Sequence, residues 1–282
     1  QYTSISSVVA ERFARRLSEQ TGLTMNWSLW AVQAWSNVSG VQATIRKRVA
    51  TSSIVRRASK PLLTSHKTKV VELKGHRKTI LDVGFSPSGR YMATSSMDRS
   101  IRLWDRTGKL LASFLAGHRD WIRSIAFQPD GTRLISGGDD GAIRVWDLTR
   151  GRRLQRFPAH QGWVLHLAFS IDGSLIATAG QDGMVLVWST ESLEVVQRLG
   201  PFGVPVQKVS IAYDGEWIAV SMAGRVEVWS LRERRRMLRK LVRGDRTSVL
   251  AMPDGDVLMT SAEGVQKFSP SNADSRILFS GH

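Results

Sequence analysis

The sequence predicts an all-β chain of five repeated four-stranded units, led in by a short α-helical segment. Three observations carry that prediction. The first is self-similarity: "GHRDWIRSIAFQPDGTRLISGGDDGAIRVWD" at 117–147 is one copy of a unit that recurs along the chain. Its opening returns as Gly75-His76, Gly117-His118 and Ala159-His160. Its close returns as Trp104-Asp105, Trp146-Asp147, Trp188-Ser189, Trp229-Ser230 and a faded Phe268-Ser269. The closing pairs stand 42, 42, 41 and 39 residues apart, a period that marks a repeat architecture. The second is turn chemistry on the same beat, at Gly89, Gly131, Gly173, Gly215 and Gly255. The third is strand patterning inside each copy, with short apolar or alternating runs set off by those turns.

The first sixty residues differ in kind. SVVAERFARRLSEQ (7–20) places Val8, Val9, Phe13 and Leu17 on one helical face, with Ser6 or Ser7 as cap and Glu11 in the first turns. A second helix is predicted over 24–35, capped by Thr24, and a third over 41–55. Pro61 bars a continuous helix, so 61–69 is a connecting linker.

From residue 70 onward the repeats begin, with copies at 75–116, 117–158, 159–199, 200–241 and 242–282. In the second copy WIRSIAF (121–127), RLISGG (133–138) and AIRVWD (142–147) are three strands. RRLQRF (152–157), like KLLASF (109–114) before it, is a more polar fourth strand suited to face water. A four-stranded unit of this size cannot bury both faces alone, so neighbours must stack.

On Gly-His, Asp-Gly-x-(Val/Ile)-x-(Val/Leu)-Trp-Asp and their spacing, the chain resembles the WD-repeat β-propeller family from about residue 68 to the end. Three copies match closely and two loosely. The resemblance implies five recognisable blades, either a whole ring or an arc of a larger one. It also implies a hydrogen-bonded chain in each matching blade from Trp through a hydroxyl and His to Asp. The sets are His76, Thr94, Asp98 and Trp104; His118, Ser136, Asp140 and Trp146; and His160, Thr178, Asp182 and Trp188. A His–Ser–Asp grouping suggests hydrolysis, but one set per blade is the mark of a structural element. Blades four and five lack the set and are expected to be less rigid. VVEL (70–73) is expected to be an outer strand closing the last blade. Gly281-His282 repeats the start of a blade and Gln1 is not Met, so the chain is expected to belong to a longer one.

The helical words ERFARRLSEQ and SLWAVQAW resemble the stretch that precedes WD repeats in bacterial signalling ATPases of the STAND type. No phosphate-binding G-x-x-x-x-G-K-[ST] loop occurs in the chain itself.

With no cysteine there is no disulfide, thiolate metal site or cysteine nucleophile. No run of eighteen apolar residues offers a membrane span. Neither cofactor nor metal-ligand spacing is read from the histidines, and the chain is expected to be non-enzymatic and cytoplasmic.

Charge is the remaining signal: 40 Lys and Arg against 24 Asp and Glu, net +16. It gathers at 46–48 with 56–57, at 150–153 and at 231–246, where Arg234, Arg235 and Arg236 fall on or near an outer strand. Such a balance suits a solvated face, a protein partner with an acidic surface or, as the alternative, nucleic acid. In the family, partners dock on the loops between outer and next inner strands. The matching positions are Arg77, Lys78 and Thr79; Arg119, Trp121 and Arg123; and Gln161, Trp163 and Leu165. The two tryptophans either anchor a partner or pack between blades.

Overall fold

Among the described residues five antiparallel sheets follow one another, each built from four consecutive strands. The computed structural model describes residues 72–114, 117–245 and 247–270, with the backbone of 272–280. The helices predicted before residue 60 and the linker at 61–69 lie outside the described residues.

Blade one comprises β1 (Ile80–Phe85), β2 (Tyr91–Ser96), β3 (Ile101–Asp105) and β4 (Leu110–Phe114). Blade two comprises β5 (Ile122–Phe127), β6 (Arg133–Gly138), β7 (Ala142–Asp147) and β8 (Arg152–Pro158). Blade three holds β9 (Val164–Phe169), β10 (Leu175–Gly180), β11 (Val185–Ser189) and β12 (Val195–Leu199). Blade four holds β13 (Val206–Ile211), β14 (Trp217–Met222), β15 (Arg225–Ser230) and β16 (Arg236–Leu241). Blade five is β17 (Ser248–Ala251), β18 (Val257–Ser261), β19 (Gly264–Ser269) and β20 (Asn272–Ser280).

Each sheet is a simple meander, so every register is set by local turns. The pairing repeats with the sequence: Met92↔Trp104, Leu134↔Trp146, Ile176↔Trp188 and Ile218↔Trp229 are equivalent partners in successive blades. The turn glycines hold left-handed backbone, as at Gly131 (φ 74°) and Gly173 (φ 72°), which side chains with a Cβ rarely adopt.

AIRVWD (142–147) reads as alternating, but every residue of β7 is buried, because blades stack on both of its faces. The outer β8 is exposed at nearly every position, as its polar sequence requires. Among the described residues four apolar clusters fill the gaps between these consecutive blades. Ile101 and Leu103 meet Ile122, Leu134 and Trp146 in the first, and Ile143 and Val145 meet Leu167, Ile176 and Trp188 in the second. Ala177, Ala179 and Val185 meet Val209, Ile218 and Val220 in the third, and Val226 and Val228 meet Val249, Val257 and Met259 in the fourth. Full burial of one such side chain contributes roughly 1.5–3 kcal/mol.

The inner strands β1, β5, β9, β13 and β17 pack side by side in chain order. A polar latch joins them that identity between repeats does not reveal. Asp82, Ser124, His166 and Lys208 occupy equivalent positions, each just past a register shift against the second strand. Asp82 Oδ2 accepts the Ile125 N–H (2.9 Å), Ser124 Oγ accepts the Leu167 N–H (3.2 Å), and His166 Nδ1 accepts the Val209 N–H (3.4 Å). Lys208 has no lone pair to offer when charged, and Ser210 Oγ instead accepts the Ala251 N–H (2.9 Å).

Of VVEL (70–73), Val70 and Val71 lie outside the described residues and Glu72 and Leu73 are not in a strand; it does not close a ring of five, because blade five takes β20 as its own fourth strand, paired with β19. A strand following directly on β19 completes that sheet at less loop cost than one recruited from some two hundred residues away.

Candidate interaction face

The turns between second and third strands and the loops before each inner strand lie at one end of the blades. Three polar relays are built there. In blade one Trp104 Nε1 donates to Thr94 Oγ1 (2.9 Å), Thr94 Oγ1 lies 2.8 Å from His76 Nε2, and His76 Nδ1 lies 2.9 Å from Asp98. Blade three repeats this with Trp188, Thr178, His160 and Asp182 at 3.2, 2.8 and 2.9 Å. An indole nitrogen only donates, so the hydroxyl accepts from it and is left to donate to His Nε2; Nδ1–H then points at the carboxylate. Blade two has Trp146, Ser136, His118 and Asp140 at 2.9, 2.7 and 3.0 Å. There a guanidinium joins: Arg144, 1% exposed, pairs with Asp140 (2.8 Å) and lies 2.6 Å from His118 Nδ1.

Glycine opens the second copy because a Cβ at Gly117 would sit 2.5 Å from the Trp146 ring. Blade three carries Leu186 where blade two carries Arg144, and Ala159 in place of that glycine.

The hydroxyls of these relays have no useful access: Thr94, Ser136 and Thr178 are at most 1% exposed. A nucleophile so enclosed cannot reach a substrate carbonyl. What the relays hold instead is the loop ahead of each inner strand. The Asp of each relay accepts the backbone N–H of the residue after the His, at Arg77 (2.9 Å), Arg119 (3.0 Å) and Gln161 (3.0 Å). The side chains of Arg77, Lys78 and Arg119 are thereby held exposed on fixed backbone.

Between blades two and three this face carries an aromatic–arginine ledge. Arg123 is the extra residue at the β5 register shift, and such a bulge re-aims a side chain. Its guanidinium forms a two-pronged ion pair with Asp139, Nη2 to Oδ2 at 2.8 Å, and lies 4.2 Å from the Trp163 ring centroid and 5.7 Å from that of Trp121. Trp163 is 40% exposed, whereas Trp121 is half-buried. At the gap between blades four and five the bulge residue Gln207 acts similarly, donating to Asp245 O (2.5 Å) and accepting from the Thr247 N–H (3.3 Å). Arg234 and Arg235 are exposed at the β15–β16 turn and Arg236 is exposed at the start of β16, away from the ledge.

A family model described as the second β-propeller of TEP-1 matches residues 50–215, more than half of the chain. The chain belongs to this β-propeller family. Its WD-repeat blades are similar to segments of curated relatives. One is Ribosome assembly protein 4 of Saccharomyces cerevisiae, 46% identical over 46 residues, which cover 16% of this chain and 9% of the relative. Another is the probable cytosolic iron-sulfur protein assembly protein Ciao1 of Culex quinquefasciatus, 47% identical over 38 residues, 14% of this chain and 11% of the relative. The matched stretch of the propeller thus spans about a tenth of each relative's length.

Electrostatics explain why the propeller's relays hold. Burial alone would raise Asp140, but hydrogen bonds from His118, Arg144 and the Arg119 N–H outweigh it and keep the carboxyl ionised far below the usual range. Asp98 is held down likewise, against burial, by Ser100, the Arg77 N–H and His76. Burial lowers His118 and His160 below the ordinary imidazole value despite their carboxylate partners. Both rings are therefore neutral at pH 7.

Blade four lacks His and Asp at these positions, yet it is not without a network. Glu227, 2% exposed, accepts from Trp229 Nε1 (3.0 Å) and pairs with Arg225 (3.2 Å), with Arg236 and Arg239 at 3.8 Å. Arg225 Nη2 also donates to Phe202 O (2.7 Å). The fourth blade lacks the His and Asp of the set and carries a different polar centre, invisible to a search for His and Asp.

Proposed function

We propose that this chain is a non-catalytic platform for protein–protein interaction, and that its partner presents an acidic surface to the loop face around Arg77, Lys78, Arg119, Trp121, Arg123 and Trp163. The observation that carries the reading is the ledge: an exposed Trp163 stacked on an Arg123 already fixed by Asp139. Rigid aromatic and arginine side chains of this kind lose little entropy on binding and anchor interfaces. The exposed Arg77, Lys78 and Arg119 supply long-range attraction for acidic groups. Both relatives are named as assembly proteins, which agrees with a platform that gathers partners. The resemblance of ERFARRLSEQ and SLWAVQAW to the stretch before WD repeats in STAND-type ATPases supports a place in a longer signalling protein of bacterial type.

The test is partner capture by the full chain and by the Trp121→Ala/Trp163→Ala double variant. Capture should fall at least about tenfold while circular dichroism stays native; loss of the native spectrum would assign the pair to packing. A second reading, nucleic-acid binding, is favoured by the exposed arginines of β8 and β16, Arg152, Arg153, Arg156, Arg236 and Arg239. It requires RNA or DNA affinity that falls steeply with salt.

A further inference from the structure

We propose that the cleft between blades three and four, alongside β12, takes an extended acidic peptide segment of a partner protein. This site is separate from the loop face and does not rest on it.

The cleft adjoins a position where this blade departs from the two before it. The outer-strand positions paired with Ile101 and Ile143 are Phe114 and Phe157, and each ring meets the Trp of the next blade: Phe114 with Trp146 at 5.2 Å, Phe157 with Trp188 at 6.2 Å. The equivalent position, paired with Val185, is Leu199. Trp229 is met instead by Phe202, edge-on at 5.8 Å, from the loop that follows β12. Beside Leu199 opens a cleft of about 390 Å³, lined by Val196, Gln197, Leu199, Gly200, Trp229 and Arg234.

Its shape suits a strand. The lining runs the length of β12, whose only sheet partner among the described residues is β11, so its other edge offers backbone donors and acceptors for strand addition. Its chemistry selects the occupant. Val196 is 49% exposed and gives an apolar contact. Gln197 Nε2 is buried with no acceptor among the described residues, so it is a donor awaiting an oxygen. Arg234, held in left-handed backbone (φ 54°) at the β15–β16 turn, is exposed at the mouth and makes no ion pair among the described residues, while its neighbour Arg235 is taken by Glu233. Among the described residues no carboxylate lines the cleft. An extended segment alternating apolar and acidic residues answers all of these at once.

The test uses the full chain and a fluorescein-labelled octapeptide alternating valine and glutamate, read by fluorescence anisotropy at about 0.15 M salt. Octaglutamate and a valine–lysine octapeptide serve as comparators. Leu199→Phe restores the aromatic of the two earlier blades and fills the cleft; Arg234→Glu reverses the charge at its mouth on an exposed turn. Each should weaken the valine–glutamate peptide at least about tenfold, and Trp163→Ala should leave it unchanged. Octaglutamate should bind at least about tenfold more weakly and the lysine peptide not at all. Should Leu199→Phe not fold, Arg234→Glu alone decides. The proposal is overturned by no binding, by octaglutamate binding as tightly, or by loss on Trp163→Ala with none on Arg234→Glu.

Discussion

Blades two and four satisfy one donor with different acceptors, a hydroxyl in the first and a carboxylate in the second. Both must satisfy a Trp N–H at the same register position, that of the buried Trp146 in one and of the half-buried Trp229 in the other. Blade two uses a hydroxyl backed by His118, Asp140 and Arg144, wholly inside. Blade four uses one carboxylate, Glu227, two residues before the Trp, and draws arginines from the outer strand toward it. The first arrangement ties the Trp to the loop face, because Asp140 also holds the Arg119 backbone. The second ties it to the rim. The difference teaches that what these blades share is a satisfied indole, and that the route of satisfaction decides which surface is made rigid.

The comparison breaks most readily at its ion pairs. Asp140→Ala leaves Arg144 and His118 buried without their acceptor, and the variant should lose about 3–5 kcal/mol in urea unfolding. A loss under about 1 kcal/mol would mean that the relay does not support the blade. Glu227→Ala should cost less, about 2 kcal/mol, because Arg236 and Arg239 are half exposed and regain water. Glu227→Gln, which keeps an acceptor for Trp229, should recover some of that, and an equal loss in both variants would deny the indole bond a role.

Acid should sharpen the contrast further. His118, His160 and, above all, His166 titrate lower in the folded chain than the ordinary value of 6.5, burial being the first cause in each and Lys208 adding to it at His166. The unfolded chain therefore binds more protons, and stability present above pH 6.5 is lost as pH falls toward the folded values. Each such ring adds up to about 1.4 kcal/mol per pH unit in that window. His166→Gln should flatten the fall in unfolding free energy between pH 6.5 and 5 by up to one ring's share; an unchanged slope would place the His166 titration elsewhere. The smallest effect belongs to the rim. Arg235→Ala removes a pair with Glu233 in which both side chains are more than half exposed, and thermal unfolding should report a change within about 0.5 kcal/mol.

Local chemistry was legible. The turn glycines and Trp-Asp closings give the number and order of strands, because these depend on residues at fixed offsets within one copy, whereas the relay sets came only with the family resemblance those residues carry. What crossed between copies was not. Asp82, Ser124, His166 and Lys208 share a position but no chemistry, so comparing repeats hides the latch they form. Arg123 is one residue in an inner strand until the bulge turns it toward Trp163. Glu227 escaped because a template of His and Asp has no place for a Glu before the Trp. The cleft beside β12 is bounded by Trp229 and Arg234 of the next blade, so it is seen only once blades face one another.

The Arg123–Trp163 stack makes the molecule its own gauge. The cation belongs to the second blade and the indole to the third, and the field of a guanidinium 4.2 Å from the ring shifts the energy of indole emission. Any event that parts those two blades, whether strain, partner or heat, alters the colour of one tryptophan before it alters the backbone content of either sheet.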